Sequence, residues 1–414
     1  MLNHEIAHLG SYASKSIARR VESQAHVISL SIGEPAFGPP PSALQALTEA
    51  ACSDLPLSSL KRYEESLGSP TLRQAIAGYY GRYTGLAVRP ESDVLVTHGG
   101  AGALTAAILA CSRPGDEILI GDPSYMLYER ITVVLGRTPK RVPRRAEDGY
   151  RYDVDLVRSM VGPRTAALVL NSPENPTGYV CSADEMRGLA RLCTEHDLTL
   201  IHDEVYDQFT FHGPHVPALG FEGFANAIQV NSTSKKFGVP GLRIGWLTST
   251  PDRVAVAAKV QDYTSLAVNR FTERCAEVLL SCGDLSEWFA ATRRDLEERV
   301  KLVVERLSAI PGFAFPAPVQ GGMFAFPAVG GFAAALGTPP GSAGDAVSAW
   351  LLDVAHVAAV PGGIYGSQGA DSVRLVLCGD RGELEQALDR IVAAARAEPA
   401  LAAAPEAPAL AAAR

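Results

Sequence analysis

The sequence predicts an α/β protein, with a mostly parallel sheet covered by helices on both faces and a smaller α+β unit after it. Three observations lead there. From about residue 94, short apolar runs alternate with helical patterns. Several of the runs are continuous and end in charged residues, the habit of strands buried on both sides. The 414-residue length exceeds what one core usually sustains.

The runs VLVTHG (94–99), EILIG (117–121), AALVLN (166–171), LTLIHDE (198–204), AIQVN (227–231) and GWLTS (245–249) read as strands. Residues 101–112 and 182–196 read as helices between them. In the second, Met186, Leu189 and Leu192 form one stripe, and Ser182 with Glu185 makes an S-x-x-E capping box. Residues 252–309 are helical with a break near Gly283. After them come GMFAF, a helix near 345–356, VAAVPG, SVRLVLC and a last helix at 381–396. The domain boundaries expected are an N-terminal arm at 1–45 packing on the small domain, a large domain at 46–285 and a small domain at 286–396. An Ala/Pro-rich tail at 397–414 is expected to be disordered. No internal repeat is apparent.

Hydrophobic residues at 47% and charged residues at 20% fit a soluble globular chain. The formal charge of −8 offers no footprint for nucleic acid or an anionic membrane surface. Seven scattered cysteines, without a C-x-x-C pair, argue against a disulfide framework or structural zinc and for a reducing compartment. The N-terminus has no apolar signal region, and no later run is long enough to span a bilayer, so a cytoplasmic location is expected.

Residues 231–246, NSTSKKFGVPGLRIGW, carry the chemistry. Ser232 and Ser234 precede Lys235, and Arg243 follows it across a Gly/Pro bend. A lysine amine condenses with an aldehyde, while hydroxyls and a guanidinium suit a phosphate monoester. An aldehyde and a phosphate on one small molecule describe pyridoxal 5′-phosphate. Taken alone, the segment also reads as a polar loop with solvated lysines and a surface arginine.

In open α/β sheets ligands bind beyond the carboxyl ends of the strands, and the other informative residues fall there. Gly99 to Leu104, GGAGAL, opens a helix after VLVTH, and its free N–H groups could cradle a phosphate or simply allow close packing. NSPENPTG (171–178) uses two prolines to hold Asn175 at the sheet edge; an ordinary Asn-Pro turn looks the same. In DEVY (203–206), Asp203 could pair with a protonated pyridine nitrogen and Tyr206 could reach a ring oxygen. A helix cap and a core tyrosine would account for them equally.

NPTG, D-E-x-Y and S-x-S-K…R occur in this order, 28 residues from Asn175 to Asp203 and 32 from Asp203 to Lys235. This set resembles the class I/II aminotransferases, the aspartate-aminotransferase-like fold-type I enzymes that use pyridoxal phosphate. GEPAFGPP (33–40), RYEESLGSPTLRQAI (62–76), DPSYMLYE (122–129), VPGGIYG and SVRLVL (360–377) extend the likeness over roughly residues 28–395. The family pattern puts the Schiff base on Lys235, directly after S-x-S, rather than on Lys236. The resemblance implies that Lys235 then shuttles a proton and that Asp203 keeps the pyridinium protonated. It also implies that Tyr206 and Asn175 bond the phenolic oxygen and that Tyr125 stacks on the ring. The phosphate would lie among the N–H groups of Gly100, Ala101 and Gly102 with Ser232, Ser234 and Arg243. Tyr63 would reach it from a neighbouring subunit, implying a homodimer. Arg374 would clamp the substrate carboxylate, aided by the Gly33 N–H and by Asn175.

The chain departs from the family where Gly99 and Ala101 replace hydroxyl or lysine residues, so the phosphate cup leans on backbone. Glu64 and Glu65 near the mouth either favour a cationic substrate or are solvated, and no arginine for a side-chain carboxylate is evident. The reaction expected is exchange of an amino group between an L-amino acid and a 2-oxo acid by a ping-pong cycle. The alternative keeps the cofactor and performs elimination or replacement, cyclisation of an adenosyl-methionine-type substrate, or amino-acid oxidation. A cofactor-dependent DNA-binding regulator would need an N-terminal module for which the arm has no room. Nucleotide-dependent oxidoreduction would need a glycine fingerprint that is lacking.

Overall fold

The computed structural model describes residues 3–10, 16–17, 19, 21, 24, 26–53, 61, 63–283 and 285–398, and leaves the side chains of 50–53 undescribed. Most of the Ala/Pro tail, 399–414, therefore lies outside the described residues, as does the side chain of Cys52. Twelve strands occur among them. The first is β1 (Ile28–Ser29); then come β2 (Val94–His98), β3 (Glu117–Asp122), β4 (Thr138–Pro143), β5 (Thr165–Asn171), β6 (Thr199–Asp203), β7 (Ala227–Ser232) and β8 (Ile244–Thr248). The last four are β9 (Phe324–Ala325), β10 (Val357–Ala358), β11 (Val360–Pro361) and β12 (Val373–Val376).

Seven strands form the large sheet in the order β2-β8-β7-β6-β5-β3-β4. The pairs among β3 to β7 are parallel, whereas β8 runs antiparallel to both β2 and β7. Only residues 233–243 separate β7 from β8, too few for the helical crossover a parallel neighbour needs. The return must therefore reverse direction. The segment that makes it is the one bearing Lys235 and Arg243. β4, TPKRVP, escaped the sequence reading because its prolines and cations hide a strand; both are tolerated here because β4 lies at the sheet edge.

All six strands read from the sequence are present, shifted by at most a residue or two at their ends. The capping box also forms: the Ser182 hydroxyl accepts the Glu185 N–H, and Glu185 Oε2 accepts the Ser182 N–H at 3.0 Å. The helix at Gly99–Cys111 begins earlier than expected, at a glycine with φ +69°. The helical stretch 252–309 is three helices, Pro251–Thr264, Arg270–Ser281 and Ser286–Ser308. Besides the break near Gly283 there is one at 265–269. There Leu266 adopts φ +63°, and Asn269 restarts the chain by accepting the N–H groups of Phe271 and Thr272.

Toward the C-terminus, β11-β12-β9 form an antiparallel sheet backed by the helices Ala343–Asp353 and Arg381–Ala397. Ile28 and Ser29 of β1 pair in parallel with Val357 and Ala358 of β10, and Ile28 and Leu30 join the C-terminal core with Val303, Leu307, Phe332 and Leu375. Burial of such side chains stabilises by about 1.5–3 kcal/mol each. No helix among the described residues is long and apolar enough to cross a membrane.

Candidate active site

The carboxyl ends of β5, β6 and β7 deliver Asn171, Asp203 and Ser232 to one place, where the helix Gly99–Cys111 also begins. A cavity of about 580 Å³ opens there. Ile32, Gly33, Glu34, Gly100, Ala101, Tyr125, Asn175, Tyr206, Ser234, Lys235, Arg243 and Arg374 line it, together with those strand ends. These residues come from seven separate stretches of chain.

The wall made by the helix start is a set of N–H groups, because the first turn of any helix leaves them without intrahelical acceptors. Gly245 of β8 packs so closely on this turn that a Cβ there would lie 2.4 Å from the Gly99 carbonyl carbon. The Arg243 guanidinium occupies the space beside Gly99, where a Cβ would sit 2.6 Å from Nη2. Arg243 itself holds φ +55° and donates to the Pro240 carbonyl at 3.1 Å. Ser232 caps the short turn Thr233–Lys236 by accepting the Ser234 N–H at 2.9 Å. Gly102 is not on the cavity wall; it faces Thr97 and His98.

Lys235 and Lys236, adjacent in sequence, point to different environments. Lys235 Nζ enters the cavity and donates to the Gly33 carbonyl at 2.6 Å. Burial holds its pKa below the ordinary lysine value, and the nearby Arg374 and Arg243 push the same way. Lys236 is fully buried behind the strands. It pairs with Asp207 at 2.9 Å and donates to Asn231 Oδ1 at 2.7 Å and the Tyr79 hydroxyl at 3.0 Å.

Asp203 closes the floor. The Tyr128 hydroxyl donates to its Oδ2 at 2.7 Å and the Val205 N–H to Oδ1 at 3.3 Å. Burial raises its pKa to about 6, with those donors opposing the rise. Tyr128 was missed in the sequence, although it stands three residues after Tyr125 and so on the same helical face. The two rings meet edge to face with centroids 5.5 Å apart. Asn171 was also missed. Its amide donates to the carbonyls of Asp203 and Pro173 and its Oδ1 accepts the Asn175 N–H at 2.9 Å, fixing the loop that presents Asn175.

Arg374 on β12 is buried. It donates to Asn175 Oδ1 at 3.3 Å and to the Ser31 carbonyl, and its Nε has no partner. The guanidinium lies 4.9 Å from the Phe324 ring centroid and 5.3 Å from that of Tyr365. Among the described residues neither Arg374 nor Lys235 is in an ion pair. A buried guanidinium and a half-buried ammonium so placed favour an anion between them.

Tyr63 is outside the cavity and 85% exposed. Glu64 and Glu65, expected either to select a cationic substrate or to be solvated, are ion-paired with Arg270 and Arg73. Neither lines the cavity.

The sequence profile of the family described as Aminotransferase class I and II matches residues 25–391. The arginine–pyruvate transaminase of Pseudomonas aeruginosa is 32% identical over 373 residues, 90% of this chain and 91% of that protein. A probable N-succinyldiaminopimelate aminotransferase of Mycobacterium tuberculosis is 33% identical over 314 residues, 75% of this chain and 77% of its own. The solved aspartate aminotransferase from Thermus thermophilus with maleate superposes with a TM-score of 0.84 at 27% identity, covering 95% of this chain and 99% of that one. With a cavity at the strand ends and a profile match over most of its length, the chain belongs to the class I and II aminotransferases and is a transaminase, exchanging amino groups between amino and 2-oxo acids.

Proposed function

We propose that this transaminase works with pyridoxal 5′-phosphate held at the β5–β7 strand ends, by a ping-pong cycle, as a homodimer in the cytoplasm. One observation carries the reading: two cations, the half-buried Lys235 and the buried Arg374, face one cavity without an ion-pair partner among the described residues, with a buried carboxylate, Asp203, at its floor.

The residues fit the group. The Gly100 and Ala101 N–H groups, the Ser232 and Ser234 hydroxyls and Arg243 would take the phosphate; Gly102, expected beside them, stands off the cavity wall. Tyr63 of the partner subunit would join them, in keeping with its exposure here. Asp203 would pair with the ring nitrogen, Tyr206 and Asn175 would donate to the phenolic oxygen, and Tyr125 would cover the ring. When bound, the cofactor supplies an electron-accepting ring that stabilises negative charge at the substrate Cα.

The protein supplies everything else. Lys235 Nζ would anchor the cofactor aldehyde. Its lowered pKa suits it to take and return a proton at the substrate Cα near neutral pH. Arg374 would bind the α-carboxylate through two parallel N–H donors, already aimed by Asn175 and Ser31, with the Gly33 N–H as a further donor. The described wall offers no cation beyond Lys235, Arg243 and Arg374, so none is left for a side-chain carboxylate.

Borohydride reduction of the holoenzyme followed by peptide mapping tests the assignment. A cofactor-derived mass on Lys235, with transfer of an isotopic amino group from an L-amino acid to a 2-oxo acid, is expected. A label on Lys236, or no amino transfer with any amino acid, overturns it.

A further inference from the structure

Behind the cavity floor, the strand that carries Asp203 presents a second constellation. Alternation along β6 sends Asp203 to one side and His202 and Glu204 to the other. His215, on the loop after Thr210, comes back to meet them. The His202 and His215 rings stack with centroids 5.3 Å apart. His215 Nε2 lies 2.9 Å from Glu204 Oε2, and His202 Nδ1 lies 4.0 Å from the same oxygen. One ligand atom from each residue falls within 4.8 Å of both others.

Several polar atoms here have no protein partner. His202 is wholly buried, yet both its ring nitrogens lack a hydrogen-bond partner, as does His215 Nδ1. The Gln229 amide reaches Glu204 Oε2 through Nε2 at 2.6 Å and leaves its Oε1 buried without a partner. Two imidazoles and one carboxylate oxygen thus converge in a buried site that suits one electrophile, with the Gln229 amide beside them. Glu204 Oε1 is separately fixed by the Tyr80 hydroxyl at 2.6 Å and the Asn231 amide at 3.3 Å, so Oε2 is the oxygen left for the cluster.

We propose that His202, Glu204 and His215 form a binding site for one divalent cation of the zinc class. Nitrogen and oxygen ligands about 2.0–2.2 Å from zinc sit roughly 3.3 Å from one another in a tetrahedron. His215 Nε2 and Glu204 Oε2 are already that close. His202 Nδ1 stands 4.0 Å from Glu204 Oε2 and no pair exceeds 4.8 Å, so His202 needs to approach by at most about 1.5 Å, a shift within reach of side-chain rotation. Rotating the Gln229 amide brings its orphaned oxygen to the fourth position. That orientation, unfavourable beside a bare carboxylate, becomes favourable with a cation between them. The ion would tie the loop at 211–218 to the backbone on both sides of Asp203. It would be a positioning site, apart from the reacting atoms and independent of the proposed cofactor.

The test uses the full chain, stripped with a chelator and titrated with zinc alone by calorimetry, with anomalous diffraction at the zinc edge from wild-type crystals. One zinc per chain is expected, with an anomalous peak among His202, Glu204 and His215 and a rise in Tm. H202S should weaken binding by about 100-fold or more. H212S, on the same loop but exposed, should leave it unchanged. Sub-stoichiometric zinc, a peak elsewhere, an ordered water at this position, or full zinc binding by H202S would each overturn the proposal. If H202S does not fold, the wild-type anomalous map decides alone.

Discussion

The two faces of the β5–β7 strand ends use the same residue types in opposite ways. On the cavity face, the half-buried Lys235 and the buried Arg374 have no ion-pair partner among the described residues, and Asp203 is held by neutral donors. Behind the strands, Lys236, Asp207, Asn231 and Tyr79 are bonded to one another at 2.7 to 3.0 Å, and no charge is left over between Lys236 and Asp207. Chemical identity does not distinguish Lys235 from Lys236; pairing does. A compensated charge specifies structure, whereas an uncompensated one is a site waiting for a ligand.

Substitutions should separate the two faces cleanly. K235A is expected to have the largest effect, a loss of amino transfer of about 10⁴-fold or more in a steady-state assay, with the urea midpoint nearly unchanged. K236A should do the reverse. Leaving Asp207 uncompensated in a dry site should cost about 3–5 kcal/mol in urea unfolding, while the molecules that remain folded keep their activity. An active, stable K236A or a stable but merely slowed K235A would erase the distinction.

R374K keeps the charge and loses the two-pronged geometry. kcat/KM for the amino donor should fall about 100-fold, mostly through KM. An equal loss in kcat alone would place Arg374 outside carboxylate binding.

Glu273 is an intermediate case. Its Oε1 accepts the Ser69 N–H at 3.1 Å while Oε2 is buried without a partner. Burial lifts its pKa from 4.5 to about 7. Between those values the unfolded chain has lost the proton that the folded chain keeps, so stability falls as pH rises through that window and levels off above it. E273Q should remove a decline of roughly 1–3 kcal/mol, read from urea midpoints at pH 5 and pH 8. The smallest effect is expected for Y128F, which removes one donor from Asp203 and should lower kcat about 10-fold without unfolding the protein.

Much of this was readable along the chain. The six apolar runs became strands, and Asn175, Asp203, Tyr206, Lys235 and Arg374 all came to line one cavity. Strand patterns are local, and ligands in such sheets gather at carboxyl ends, so motif order maps directly onto a place. Tyr128 and Asn171 escaped notice because their roles lie in contacts to Asp203, 75 and 32 residues away. β4 escaped because edge position, a property of the whole sheet, is what licenses its prolines.

The sequence by itself determined the α/β class, the strand-end chemistry and the aldehyde- and phosphate-seeking segment around Lys235, because these depend on periodicity and short spacing. Only the tertiary structure decided that β8 runs backward, that Glu64 and Glu65 are paired away from the cavity, and that His202 meets His215. Each of those outcomes depends on which distant side chain fills the space opposite, and burial sets that choice only once the whole sheet has closed.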